Sequence, residues 1–193
     1  MQLKITSIFY SVQGEGTHTG TASIFIRFHG CNLSCSFCDD NLHTGAYRFM
    51  SPKEILDEIA AYPARFVVLT GGEPTLYFLN PFIRFLQEHG YYVSIESNGY
   101  CLENVSEADW ITYSPKEWEK LLQEGYDESK FIVAKNSPLD KLLDFQSDKP
   151  IYIQPQNLFD LPDMENVRFC VDLVKKHPRF RLSVQLHKFL GLE

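Results

Sequence analysis

The densest chemistry in the chain lies in GCNLSCSFCDD, from Gly30 to Asp40. Its cysteines are spaced Cys31-x3-Cys35-x2-Cys38, so three thiolates fall within eight residues. Three such thiolates can wrap one iron–sulfur cluster, a group normally held by four cysteines. One thiolate short, the cluster keeps an open iron position for a substrate or cofactor. A zinc ion is the alternative, with His29 or His43 as fourth ligand. Structural zinc motifs usually pair two CxxC-type knuckles, however, and no second pair exists here. Cys101 and Cys170 stand alone and read as small buried hydrophobes. Clustered cysteines, odd in total, point to metal or catalysis in a reducing cytosol rather than to disulfides.

Other polar and glycine residues gather in short segments. TGGEP runs from Thr70 to Pro74. Its glycines let backbone approach a ligand closely, and free amides or carbonyls there can meet a carboxylate or an ammonium. Glu96-Ser97-Asn98-Gly99, Ser114-Pro115-Lys116 and Gln154-Pro155-Gln156 are similar segments. Glu96 and Asn98 can face a site or simply form a turn. His18, His29, His43, His89, His177 and His187 show no metal-ligand spacing.

These segments need elements to position them. SIFIRFHG from Ser23, RFVVLTGG from Arg65 and YYVSIESNG from Tyr91 read as strands. So do DWITYSP from Asp109, SKFIVAK from Ser129, KPIYIQPQ from Lys149 and RFRLSVQ from Arg179. Ser51, Pro52 and Glu54 mark a helix start with a capping box, and that helix runs to about Ala61. Asn80-Pro81 opens another that ends near His89-Gly90, and Pro162 to Lys176 reads as a third. The β-α alternation repeats about six times, which implies a parallel sheet with right-handed crossovers. A full eightfold barrel usually takes about 250 residues, and this chain has 193. The expected fold is α/β, either a partial, open TIM-like (β/α)6 barrel or a doubly wound sheet, in a single domain over residues 1–193. The polar segments fall at the C-terminal ends of successive strands, where such folds place their sites.

Composition narrows the partners. Hydrophobic residues make up 44% and charged residues 22%, with a net charge of −7. Phosphate binding wants clustered Lys and Arg, so nucleic acid is not expected. No stretch reaches the roughly 18 apolar residues of a membrane span, and the N-terminus lacks a signal-peptide pattern. The chain is read as cytoplasmic.

The C-x3-C-x2-C loop after a strand, followed some 30 residues later by GGEP, resembles the radical S-adenosylmethionine (SAM) superfamily. That resemblance implies a [4Fe-4S] cluster on Cys31, Cys35 and Cys38, with SAM chelating the open iron. Its reductive cleavage gives a 5′-deoxyadenosyl radical that abstracts a substrate hydrogen. The resemblance narrows from end to end of the chain. FYSVQGEGTHTG (Phe9 to Gly20), IRFHGCNLSC (Ile26 to Cys35), ESNG, SPK and RLSVQLHKFLG (Arg181 to Gly191) are similar to the 7-carboxy-7-deazaguanine synthase family of queuosine and 7-deazapurine biosynthesis. The implied reaction is the ring contraction of 6-carboxy-5,6,7,8-tetrahydropterin to 7-carboxy-7-deazaguanine with loss of ammonia, assisted by Mg²⁺.

The resemblance implies roles residue by residue. Val12, Gln13, Gly14 and Glu15 contact the pterin, where an amide and a carboxylate suit its donor and acceptor edge. Arg27 pairs with the substrate carboxylate, and Thr70 hydrogen-bonds the substrate. Phe37, Cys38, Asp39, Gly72, Ser114, Pro115, Lys116, Gln154, Pro155, Gln156 and Asn157 line the SAM pocket, with Phe37 against adenine. The terminal Glu193 reaches the substrate. After Cys-Asp the family often carries Thr or Ser toward Mg²⁺; here the residue is Asp40, a harder oxygen ligand. A one-electron donor such as flavodoxin and a homodimer are implied. Two other readings stand beside this one: a glycyl-radical-enzyme activase, which QGEG and Arg27 disfavour, and a non-enzymatic iron–sulfur or zinc module.

Overall fold

The computed structural model describes residues 1–40 and 42–192. Nine strands form one sheet: β1 (Leu3–Val12), β2 (Ala22–Phe28), β3 (Arg48–Met50), β4 (Phe66–Gly71), β5 (Tyr92–Ser97), β6 (Trp110–Tyr113), β7 (Glu128–Val133), β8 (Ile151–Pro155) and β9 (Phe180–Leu182). Their order is β3-β1-β2-β4-β5-β6-β7-β8-β9. From β2 to β9 every pairing is parallel. β1 and β3 are antiparallel additions at one edge, which the parallel expectation did not include. The sheet is open, as a partial barrel requires.

The helices are α1 (Pro52–Ile59), α2 (Asn80–Glu88), α3 (Leu139–Asp144), α4 (Met164–Lys176) and α5 (Leu186–Leu190). The expected capping box is present: Ser51 accepts from the Glu54 amide while the Glu54 carboxylate accepts from the Ser51 amide. α2 starts at Asn80 and stops before His89 as expected, and the Asn80 side chain donates across to the Glu103 carbonyl (2.9 Å) and the Ser106 hydroxyl (3.2 Å). Two crossovers lack an α-helix: β5 reaches β6 through a 3-10 turn at Leu102–Val105, and residues 114–127 join β6 to β7 without a helix. α3 and α5 are too short to show a helical period. Among the described residues no helix is long and apolar enough to cross a membrane.

Alternation along the strands separates two faces. Ile24, Ile26, Val67, Leu69, Val93, Ile95, Phe131 and Ile153 pack outward under the helices. The opposite face carries polar groups. Register sets Arg27 beside Thr70, Glu96 beside Thr112, and Thr112 beside Glu128, and the pair Leu69–Ile95 brings Thr70 alongside Glu96. The result is a polar row across the concave side. The β1–β2 loop, residues 13–21, bridges the open edge. The Gly16 amide donates to the Ser183 hydroxyl (3.1 Å), the Thr17 amide to Glu128 Oε2 (3.0 Å) and the Leu186 amide to the Gly14 carbonyl (3.1 Å).

Candidate active site

A cavity of about 730 Å³ fills the concave side, roofed by the cysteine loop and floored by the 13–21 loop. That volume suits a small-molecule site. The cysteine loop leaves β2 through Gly30, whose φ of 94° is in the left-handed region. The Gly30 amide donates to the His43 carbonyl (2.8 Å) and its carbonyl accepts from the Glu73 amide (2.8 Å). Cys31 and Cys35 are half-buried and Cys38 is exposed, all three as free thiols. Burial raises the Cys35 and Cys38 thiols above their usual range, and Lys116 opposes this at Cys35. Neither candidate zinc histidine joins them. His29 packs on the Tyr47 ring at 4.4 Å, and His43 Nδ1 meets the Asp40 carbonyl. Cys31, Cys35 and Cys38 line one end of the cavity together, and three thiolates are the kind of donor set that iron–sulfur clusters take.

The glycine segment follows β4. A Cβ on Gly72 would lie 1.9 Å from the Gly30 carbonyl oxygen, and one on Gly71 would lie 2.4 Å from the Phe28 amide. These glycines let two strand ends close on each other. Glu73 is buried behind them. Its Oε1 accepts from the Thr75 amide (3.0 Å), the Thr75 hydroxyl (2.7 Å) and the Ser97 hydroxyl (2.7 Å), and its Oε2 from the Asn98 amide (2.7 Å). Glu73 thus locks the Glu96–Gly99 turn to the cysteine loop. Asn98 then donates to Asn32 Oδ1 at 2.9 Å.

The floor is a charged cluster. Lys130, only 3% exposed, rises from β7 between Glu15 and Glu96, with its Nζ 2.7 Å from Glu96 Oε2. Gln13 Nε2 donates to Glu96 Oε1 (3.3 Å), and Gln13 Oε1 accepts from the Glu15 amide (3.2 Å). Burial pushes Glu15 up, but the Lys130 ammonium outweighs it and leaves the carboxyl below its usual range. At Glu96 burial prevails, reinforced by Glu15, and pushes its pKa up to about 7. Lys130 is raised above its usual range, its two carboxylates outweighing burial.

The walls hold the remaining expected residues. Arg27 Nη1 lies 3.5 Å from Asp40 Oδ1, with its guanidinium 5.3 Å over the Phe9 ring. Lys116 Nζ donates to the Ser114 hydroxyl at 2.7 Å, and burial lowers its pKa. Gln154 Oε1 accepts from the Ser183 hydroxyl (2.9 Å), and Asn157 Nδ2 donates to Gln185 Oε1 (3.0 Å). Asp39 accepts from Gln185 Nε2 (2.7 Å) and Lys188 Nζ (2.8 Å), tying the cysteine loop to α5. Val12, Phe37, Cys38, Thr70, Gly72, Pro155 and Gln156 also line the cavity.

Residues 25–132 match the family model of the radical SAM superfamily. The chain is 42% identical to the 7-carboxy-7-deazaguanine synthase of Bacteroides thetaiotaomicron over 193 residues, covering 100% of both chains. It is 34% identical to the enzyme of that name from Bradyrhizobium diazoefficiens, again across 100% of both. The crystal structure of QueE from Escherichia coli superposes with a TM-score of 0.78 at 31% identity, over 97% of this chain and 95% of that one.

The chain belongs to the 7-carboxy-7-deazaguanine synthase family.

As a radical SAM enzyme of that family it is a lyase, and the activase and metal-module readings fall away. Two expected residues sit apart from the cavity lining. Gly14 packs against α5, where a Cβ would lie 2.8 Å from His187 Nδ1. Pro115 is buried and its carbonyl accepts from Trp118 Nε1 at 3.4 Å. Glu193 lies outside the described residues. Sequence reasoning left Lys130 without a role and read Glu73 only as part of the ligand-approaching TGGEP segment, though both side chains carry site geometry. The signal for Lys130 was a charge at an inward position of the apolar strand SKFIVAK. His187 and Lys188 line the cavity as well.

Proposed function

We propose that this cavity converts 6-carboxy-5,6,7,8-tetrahydropterin to 7-carboxy-7-deazaguanine with loss of ammonia. Cys31, Cys35 and Cys38 hold the [4Fe-4S] cluster, and the walls around Phe37, Asp39, Gly72, Lys116, Gln154 and Asn157 take SAM. Bound together, cluster and SAM supply one-electron hydrogen abstraction. The residues of the chain bind, orient and exclude water. The observation that carries this reading is the polarity of the cavity lining: three thiols, the cation Arg27, and the donor–acceptor set Gln13, Glu15 and Glu96. Arg27 offers a planar fork for the substrate carboxylate. Thr70, its neighbour on β4, supplies a hydroxyl at the same level.

Asp40 is the residue for Mg²⁺. It is buried beside Arg27 on the cavity wall, and Mg²⁺ commonly takes one or two carboxylates with substrate and water completing its shell. We place one domain over residues 1–193, consistent with its single sheet, acting in the cytoplasm as a homodimer with a flavodoxin-type reductant. The test is anaerobic turnover with SAM, dithionite and the carboxypterin, with and without Mg²⁺. We expect 7-carboxy-7-deazaguanine and ammonia, at a rate that falls at least about tenfold without the metal. A fully loaded protein that makes no product overturns the reading.

A further inference from the structure

We infer that Glu128 is a positioning residue: through the backbone of the 13–21 loop it sets where Gln13 and Glu15 stand on the cavity floor. That those two side chains meet substrate rests on the function proposed above. Glu128 is 1% exposed and lies beneath the floor loop, outside the cavity lining. Alternation along β7 turns Glu128 and Lys130 to the same face, about 6.6 Å apart. The two grip the loop at different points. Lys130 takes the Glu15 carboxylate. Glu128 takes the backbone two residues further on, its Oε2 accepting from the Thr17 amide at 3.0 Å. The Thr112 hydroxyl of β6 donates to its Oε1 at 2.9 Å and holds the carboxylate in place. Gly16 has a φ of 63°, and a Cβ there would lie 2.1 Å from Glu128 Oε1. Only glycine lets carboxylate and loop backbone meet this closely.

The rest of the loop is anchored on its own. The Gln13 amide donates to the Thr21 carbonyl and the Gly20 amide to the Gln13 carbonyl, both at 2.8 Å, which closes its base. At its tip the His18 ring packs on Phe66 (4.8 Å), Tyr92 (5.8 Å) and Trp110 (4.9 Å), the first residues of β4, β5 and β6. Between base and tip, Gly14 and Gly16 leave the backbone its widest freedom. The Glu128 contact falls on that stretch and removes it. Glu15 is two residues from the contact, and its amide donates to Gln13 Oε1, so a shift at Thr17 displaces both floor side chains. What the contact requires is an acceptor at the reach of a glutamate. A glutamine supplies one, and its amide nitrogen can donate to the Thr112 hydroxyl, which accepts as readily as it donates.

The experiment measures kcat and KM for the carboxypterin, substrate-free release of 5′-deoxyadenosine and iron per chain in wild type, Glu128→Gln, Glu128→Asp and Glu128→Ala. The glutamine variant should keep KM within about threefold of wild type, whereas aspartate, one methylene short, and alanine should each raise it at least about tenfold with kcat less affected. Iron content and substrate-free cleavage should hold in all three, because the contact lies on the substrate side. Added to Gln13→Ala, the alanine change should cost less than it does alone, since it acts through that side chain. A glutamine variant as impaired as alanine would show that charge rather than reach is needed, and overturns the assignment. So do full additivity with Gln13→Ala, or kcat and iron that fall while KM stays put, the signature of mere structural support. Should the alanine chain fail to fold, the glutamine and aspartate pair decides. Wild type that makes no product overturns the proposed function and this assignment with it. Wild type that turns over, with the aspartate variant keeping its KM, overturns this assignment alone.

Discussion

Lys130 and Glu96 show how a single buried charge sets local chemistry. One lysine serves two carboxylates, so the floor carries an unmatched acid, and its proton responds near neutrality. The sign for stability follows. Glu96 is protonated in the folded chain up to about pH 7, whereas the same glutamate in the unfolded chain ionises near its ordinary 4.5. Folding therefore takes up a proton between these values, and its contribution to stability falls as pH rises from about 4.5 to about 7. Of the groups that face the same space, Glu15 is held below its usual range by Lys130, Lys130 is raised by its two carboxylates, and burial lowers Lys116. The Tm of wild type, measured by calorimetry, should therefore drop across that window relative to Glu96→Gln. Parallel curves would sink the assignment of the titration to Glu96. From sequence, Cys31, Cys35, Cys38, Gln13 and Arg27 were legible because their spacing or motif names them. Lys130 was not, because a lysine in a strand is ordinarily solvated and only the closure of the sheet buries it.

The elements owe their positions to short-range signals and their partners to long-range ones. The Ser51–Glu54 box and the alternation of β4 and β5 were readable from neighbouring residues. The antiparallel β1 and β3 were not, because edge pairing depends on which strand lies alongside. The glycines after β4 had been assigned to ligand approach; their nearer task is to let the ends of β2 and β4 converge. Gly72→Ala should consequently cost about 1–3 kcal/mol, because its Cβ would strike the Gly30 carbonyl. Displacement of Gly30 should also lower iron bound per chain, read by absorbance and iron analysis. Full iron content with unchanged Tm would refute this account.

At the scale of the whole molecule, the site is made by both ends of the chain. The 13–21 loop and α5 meet across the open edge through Gly14, Gly16, Ser183 and Leu186, and Lys188 ties α5 to Asp39. Truncation after Gln185 should spare most of the sheet while opening the cavity to water. The expected result is a Tm within a few degrees of wild type, a substrate KM raised at least about tenfold, and more 5′-deoxyadenosine released per product formed. Tight coupling in the truncated chain would show that α5 seals nothing.

That meeting of the two ends has a consequence for how the enzyme is made. The cysteine loop is complete by residue 38, whereas the chamber beneath it waits for residues 183–188 to arrive from the far end of the chain. Contacts of such sequence separation form late in folding because they close the longest loops. A nascent or interrupted chain thus displays its three thiols, in reach of iron, before it owns a place to confine a radical. Acquisition of metal and acquisition of substrate are separated in time by the topology itself.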